Sequence, residues 1–229
     1  MNMTMQQDWL TLDCAAEAER IAEAIREQVL GRLKRRGAVV GISGGIDSAV
    51  VTALCAKALG AHKVFGIFMP ENDTSDDALH FGRLLAQAMG VPATIEDIAP
   101  ALTGLGCYQR QIDAIQTVLP EFGAGWKFKL VLPSILESER LNVTRLTAQD
   151  PDGNTQTVRL TAGAYLQIVA ATNFKQRVRK MMEYYHADRL NFAVAGTPNR
   201  LEYDQGFFVK QGDGAADFKP IAHLYKTQV

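Results

Sequence analysis

Residues 41–48 read Gly41-Ile42-Ser43-Gly44-Gly45-Ile46-Asp47-Ser48, and this octapeptide decides how the chain is expected to fold. An apolar, β-branched run at 38–40 precedes it, and an alanine- and valine-rich run at 49–59 follows it as far as Gly60. This pattern predicts a buried strand, a tight loop and a helix that ends at a glycine.

The middle of this loop has little or no side chain, so its backbone N–H groups are open to an anion. Because those groups lie at the start of a helix, unpaired donors and the helix dipole both favour negative charge there. Ser43 and Ser48 add hydroxyl donors, whereas Asp47 introduces a carboxylate. The simplest reason for that carboxylate is Mg²⁺, which would bridge it to phosphate oxygens. The loop has neither the ending of a Walker A loop nor the dinucleotide fingerprint.

The composition favours a globular protein and argues against several other classes. The chain has 229 residues, 47% of them hydrophobic, which suits one domain with or without a small insertion. Its 24 basic and 25 acidic residues give a net charge of −1, so nothing indicates nucleic acid. No signal peptide or membrane-spanning run is visible, and Cys14, Cys55 and Cys107 have no disulfide or zinc spacing. We therefore expect a cytoplasmic protein with no membrane partner.

Helix and strand patterns alternate through the first hundred residues. The patterns predict strands over 38–40, 63–69 and 92–98, and helices over 13–36 (with Gly37 as its left-handed cap), 49–59 and 75–89. This order predicts an α/β fold with a doubly wound parallel sheet and right-handed crossovers. In such sheets ligands bind beyond the carboxyl ends of the strands, which is where the loops at 41–48 and 70–75 lie.

The alternation breaks between residues 100 and 162, which we interpret as an insertion into the α/β core. Two segments there, 141–147 and 155–161, alternate residue by residue around Asp150-Pro151-Asp152-Gly153-Asn154, which predicts a β-hairpin. A long helix is expected over 162–185, then a fourth strand over 190–195 and another strand-end loop at 196–202. The last four residues look like a helix that has barely begun, so we expect the natural chain to be longer.

Beyond the octapeptide, which is similar to the pyrophosphate loop of N-type ATP pyrophosphatases, four ordered motifs resemble the signatures of the NAD⁺ synthetase family. They are Arg177-Val178-Arg179, Gly196-Thr197-x-Asn199-x-x-Glu202, Gly206-Phe207-Phe208-x-Lys210-x-Gly212-Asp213-Gly214-x-x-Asp217 and Pro220-x-x-x-Leu224-Tyr225-Lys226-Thr227. The resemblance covers about residues 39–98 and 173–229. It implies an adenine nucleotide alpha-hydrolase-like fold, with 1–229 forming a single ATP pyrophosphatase domain.

The resemblance also implies a reaction. ATP adenylylates the carboxylate of nicotinic acid adenine dinucleotide with release of pyrophosphate, and ammonia then displaces AMP to give NAD⁺. ATP and Mg²⁺ would be the cofactors and a homodimer the assembly. The ammonia would be free or would come from a separate glutaminase, since no glutaminase domain precedes the octapeptide.

By the same resemblance, each matching position takes a role. The phosphates of ATP would be held by Gly41, Ile42, Ser43, Gly44, Gly45, Ile46, Asp47 and Ser48. Thr197 and Lys226 would also contact ATP. Mg²⁺ would bind to Asp47 and Glu202. The dinucleotide would be held by Arg177, Lys210 and Asp217, with Asp47 and Lys210 as the catalytic residues.

Three departures from the family pattern leave the acyl substrate open. Pro198 stands where the family usually has a non-proline residue, Arg200-Leu201 replaces a small polar pair, and the stretch at 100–162 is longer than in typical bacterial members. The alternatives are the same adenylylation chemistry on a different carboxylate, and a non-catalytic relative that binds adenine nucleotide.

Overall fold

A computed structural model describes residues 10–131 and 144–229, which belong to two compact units. The first unit joins Met1–Ala99 with Gln176–Val229, and the second is Pro100–Lys175. The helices are α1 (Cys14–Arg26), α2 (Ile46–Leu59), α3 (Asp76–Met89), α4 (Ala99–Gly104), α5 (Cys107–Gln116), α6 (Ala162–Leu190) and α7 (Arg200–Asp204). The strands are β1 (Ala38–Gly41), β2 (Val64–Phe68), β3 (Ala93–Ile95), β4 (Lys127–Val131), β5 (Arg145–Gln149), β6 (Thr155–Arg159) and β7 (Ala193–Val194).

The first unit is built on a parallel sheet in the order β3-β2-β1-β7, which confirms the predicted α/β fold. In its register, Ala38 of β1 lies between Val64 of β2 and Ala193 of β7. The chain runs outward from β1 through β2 to β3 and then returns to the other side of β1. This reversal of strand order opens a crevice beyond the carboxyl ends of β1 and β7, where a ligand is expected in such a fold.

The core of the first unit forms where α1 and α2 pack on the sheet. Ala38, Val39 and Val40 are fully buried, as is typical of a parallel strand covered on both faces. Val29 and Val51 join them with no exposed surface. The octapeptide therefore follows the carboxyl end of β1, a central strand of a tightly packed sheet.

The first helix ends differently from the prediction over 13–36. Regular α-helix stops at Arg26, and a π-helical segment continues over Glu27–Arg32. Lys34, rather than Gly37, takes the left-handed conformation that ends the segment, with φ of 54°. Gly37 is needed for close packing instead, because an added Cβ would collide with the Lys63 carbonyl and the Phe192 ring.

The second unit contains an antiparallel sheet in the order β4-β5-β6. Its β5–β6 pair confirms the predicted hairpin, with Thr147 opposite Thr157 and their hydroxyls 3.0 Å apart. The part of the prediction at 141–143 lies outside the described residues. The strand β4 and the helix α5 were not predicted, and fully buried Ile115 of α5 packs with Leu146 in this unit's core.

Within residues 10–131 and 144–229, none of the helices combines the length and the apolar character needed to cross a membrane.

Candidate functional site

The octapeptide forms the turn from β1 into α2, and it is held by its own hydroxyl groups. Ser48 donates from Oγ to the Gly45 carbonyl at 2.9 Å and accepts from the Ser43 backbone N–H at 3.2 Å. Gly44 has a φ of +81°, and an added Cβ there would collide with the backbone of Ala78 in α3. The N-cap of α2 is Gly45, which has no side chain to satisfy the first N–H groups. The start of α2 is therefore open to an anion, as the sequence predicts.

A cleft of about 380 Å³ lies at the carboxyl ends of β1 and β7, within the first unit. Its wall includes eight of the predicted site residues: Gly41, Ile42, Ser43, Gly45, Asp47, Ser48, Thr197 and Glu202. Two loops that are far apart in sequence meet here because β7 returns beside β1. The reversal of strand order thus brings the predicted nucleotide and metal residues to one place.

Asp47 is contacted from two sides. The Lys226 ammonium pairs with Oδ2, and the Asn199 side-chain amide donates to Oδ1 at 3.4 Å. Lys226 does not itself line the cleft, but this contact places it next to a residue that does. The sequence predicts both Asp47 and Lys226 as site residues, and the structure brings them together.

Asn199 belongs to one of the four quoted motifs, but the sequence analysis gave it no role, and the structure places it against Asp47. It is almost fully buried, and it caps α7 by accepting from the Leu201 N–H, while its own N–H donates to Glu202 Oε2 at 2.8 Å. The prediction of a simple loop at 196–202 is therefore wrong, because α7 begins at Arg200. The spacing Asn-x-x-Glu is a capping-box signal that could have revealed this helix.

The two predicted magnesium ligands, Asp47 and Glu202, both line the cleft and both contact Asn199. Among the described residues, no group of three or more His, Cys, Asp or Glu side chains is placed to hold a metal. Mg²⁺ commonly takes one or two protein carboxylates and fills its shell with water and phosphate oxygens. Two carboxylates in the same cleft as the uncapped start of α2 fit that preference.

The three predicted substrate residues lie outside the cleft wall. Arg177 and Lys210 are both exposed, and the Arg177 Nε donates to the Lys210 carbonyl at 3.2 Å. Asp217 accepts from the Val194 N–H at 2.7 Å and from the Tyr184 hydroxyl at 3.2 Å. Burial, with the Asp217 carboxylate beside it, raises the pKa of Tyr184 to about 12, so this hydroxyl keeps its proton. In this structure Asp217 therefore links the end of β7 to α6.

The cleft wall also holds charged residues of α6 to which the sequence analysis gave no role. Lys180 Nζ lies 2.5 Å from Glu183 Oε2, and Arg179 lies 3.8 Å from Glu71. Burial raises the pKa of Glu183, whereas the Lys180 charge lowers it. Opposite charges at positions i and i+3 of a predicted helix were the only sequence signal for this pair.

The comparisons with known proteins agree with this geometry. The family model for NAD synthase matches residues 17–117 and 141–229. The chain is 64% identical to an NH(3)-dependent NAD(+) synthetase of Mesorhizobium japonicum, over 96% of this chain and 69% of that protein. It is 56% identical to the enzyme of the same name from Rhizobium rhizogenes, over 100% of this chain and 69% of that protein.

A solved structure supports the fold. The NH3-dependent NAD synthetase of Campylobacter jejuni, in complex with the nitrate ion, matches with a TM-score of 0.62 and 25% identity, over 95% of this chain and 71% of that chain. This likeness agrees with the parallel sheet and its crossovers, and the family model covers well over half of the sequence. The chain belongs to the NAD synthase family.

Proposed function

We propose that this chain uses ATP and ammonia to amidate the carboxylate of nicotinic acid adenine dinucleotide, giving NAD⁺, AMP and pyrophosphate. The observation that carries the proposal is the meeting of the loops after β1 and β7 in one cleft. That cleft combines an open helix N-terminus with carboxylates at Asp47 and Glu202. The names of the 64% and 56% identical relatives support the choice of reaction.

The proposed chemistry has two steps. A carboxylate oxygen of the substrate attacks the α-phosphorus of ATP, the bond to the β-phosphate oxygen breaks, and pyrophosphate leaves. Ammonia then attacks the acyl carbon, AMP leaves, and a proton is released as the amide forms. The protein needs no nucleophile of its own, because adenylylation has already activated the acyl group.

In this proposal the octapeptide holds the phosphates of ATP. Its backbone N–H groups and the dipole of α2 stabilise the charge that builds on departing pyrophosphate. Thr197 lines the same cleft, and Lys226 lies beside it as a further cation for ATP. Mg²⁺ held by Asp47 and Glu202 would neutralise part of the phosphate charge.

The substrate residues are proposed on the resemblance of their motifs. Arg177 and Lys210 are neighbours in the first unit and offer two cations to an anionic dinucleotide, with Lys210 the second proposed catalytic residue. Asp217 is proposed to contact the same substrate. We also keep the homodimer, the cytoplasmic location and the insertion at about 100–162 as parts of the proposal.

The test is a reaction of the purified full chain with ATP, MgCl₂, ammonium chloride and nicotinic acid adenine dinucleotide. We expect NAD⁺ and pyrophosphate to form in equal amounts. The same assay with a panel of other carboxylic acids measures AMP release. If another acid is turned over and this dinucleotide is not, the proposed substrate is wrong, whereas the proposed adenylylation chemistry still holds. Tight ATP binding with no AMP release on any acid would favour a non-catalytic relative.

A further inference from the structure

Two charged side chains that this mechanism does not use lie in the wall of the cleft. Lys180 and Glu183 form an i, i+3 pair on α6, and their side chains are only 8% and 9% exposed. Burying two charges costs free energy that their attraction often fails to offset. We therefore look for a role of this buried pair other than stabilising the fold.

The carboxylate of this pair lies directly against the phosphate loop. An added Cβ at Gly41 would come 2.8 Å from Glu183 Oε1, so the glycine is what lets the carboxylate approach the end of β1. Its other oxygen, Oε2, accepts from Lys180 at 2.5 Å. Glu183 thus fixes the Lys180 ammonium close to the first residue of the octapeptide.

The ammonium has donors to spare. Lys180 carries three N–H donors, and within the described part of the chain its one hydrogen-bond partner is Glu183. Among the residues that the structure describes, the cations that line the cleft are Lys180 and Arg179, and Arg179 lies near Glu71. A charged donor shielded from water forms a stronger bond to phosphate than a neutral donor does.

We propose that Lys180 is a further contact for the phosphates of the bound nucleotide, and that Glu183 is the residue that positions its ammonium. This inference rests on the proposed function in one respect: the proposed function places a nucleotide in the cleft. It predicts that Lys180 acts on the phosphates and not on the nucleoside. A purely structural ion pair would make no such distinction.

The experiment compares binding of ATP with binding of adenosine by calorimetry, using the full chain. The key variant is Lys180→Met with Glu183→Leu, which removes the whole pair and leaves no unpaired charge. We expect the Kd for ATP to rise about tenfold or more, the scale of one lost hydrogen bond to a charged group, while the Kd for adenosine stays within about twofold. Lys180→Arg should keep most of the ATP affinity.

Lys57→Met is the matched control, because it removes one cation from a surface pair with Glu19 outside the cleft wall. If circular dichroism shows that the double variant does not fold, Lys180→Met with Glu183→Gln gives the same comparison, because both replacements are neutral and close in size to the original side chains. ATP binding at the wild-type Kd in the variant overturns this inference. A wild-type chain that binds ATP but forms no NAD⁺ contradicts the proposed function instead.

Discussion

Among single residues, we expect substitution of Asp47 to reduce activity most, because we propose that its charge binds Mg²⁺. Asp47→Asn keeps the volume and removes the charge, so we expect kcat for NAD⁺ formation to fall about 100-fold or more. Its ion pair with Lys226 is partly exposed, so the free energy of unfolding should change by less than about 1 kcal/mol. Glu19→Gln, which breaks the surface pair with Lys57, is the control. An Asp47→Asn variant with wild-type kcat would remove Asp47 from the mechanism.

Two adjacent glycines of the octapeptide should respond differently to the same substitution. Gly44→Ala forces a residue with a Cβ to a φ of +81° and into the backbone of Ala78. We expect it to lower the free energy of unfolding by about 2 kcal/mol or more, in the range for strain at positive φ together with a steric collision. Gly45→Ala is the matched control, because its Cβ would meet only Ser43 Oγ at an ordinary 3.4 Å. Urea denaturation measures both, and equal losses would contradict the argument.

At the scale of elements, one side chain both caps a helix and contacts the site. Asn199→Ala removes the cap of α7, so we expect a loss of about 1 kcal/mol in the free energy of unfolding, measured by urea denaturation. Asn199→Ser should recover most of that stability, because a serine hydroxyl can also cap. The serine has no amide to donate to Asp47, so its NAD⁺ synthesis should stay below the wild-type rate. Full activity in Asn199→Ser would show that the contact with Asp47 is dispensable.

The elements that the sequence analysis predicted correctly are those whose signals lie within a few consecutive residues. The strand, loop and helix around residues 38–59 follow from a β-branched run, small residues and a terminal Gly60. Strand β4 alternates too, but its partner β5 lies beyond residue 144, and a short run that follows two glycines was not enough to predict it. Helix α7 follows Pro198 and spans only five residues, so its capping box was the sole signal.

In the candidate site, too, local features could be predicted from the sequence and contacts between distant residues could not. The octapeptide is predicted to bind an anion because the relevant chemistry is contained in eight consecutive residues, and the structure places six of them in the cleft wall. The contact of Lys226 with Asp47 joins residues 179 positions apart, so no spacing rule could reveal it. The Lys180–Glu183 pair was missed because its importance depends on burial against Gly41, which only the assembled sheet produces.

At the scale of the whole molecule, a cluster of polar side chains joins α1 to a segment near the end of the described chain. In the first unit, His223 lies 2.6 Å from Glu17 of α1, and Arg20 pairs with the same carboxylate. This cluster links the first helix to a segment 206 residues later. Hydrogen bonding from Arg20, with a further contribution from His223, lowers the pKa of Glu17 to about 2.

That shift predicts a specific acid sensitivity of the folded chain. In the unfolded chain Glu17 has its ordinary pKa near 4.5, so between pH 4.5 and about 2 the unfolded state binds a proton that the folded state does not. The contribution of Glu17 is therefore complete above pH 4.5 and is lost as the pH falls towards 2. Glu17→Gln should be less stable than wild type at pH 6, and the gap should narrow steadily towards pH 3.

Urea denaturation at half-unit steps from pH 3 to 6 measures this gap. Burial of Glu183 raises its pKa and acts with the opposite sign, but it is present in both proteins and cancels in the difference. Glu23→Gln, which removes a carboxylate from an exposed position on the same helix, is the matched control. A stability gap for Glu17→Gln that stayed constant with pH would mean that the side chain stabilises α1 through its shape, and that its charge does not link the helix to His223.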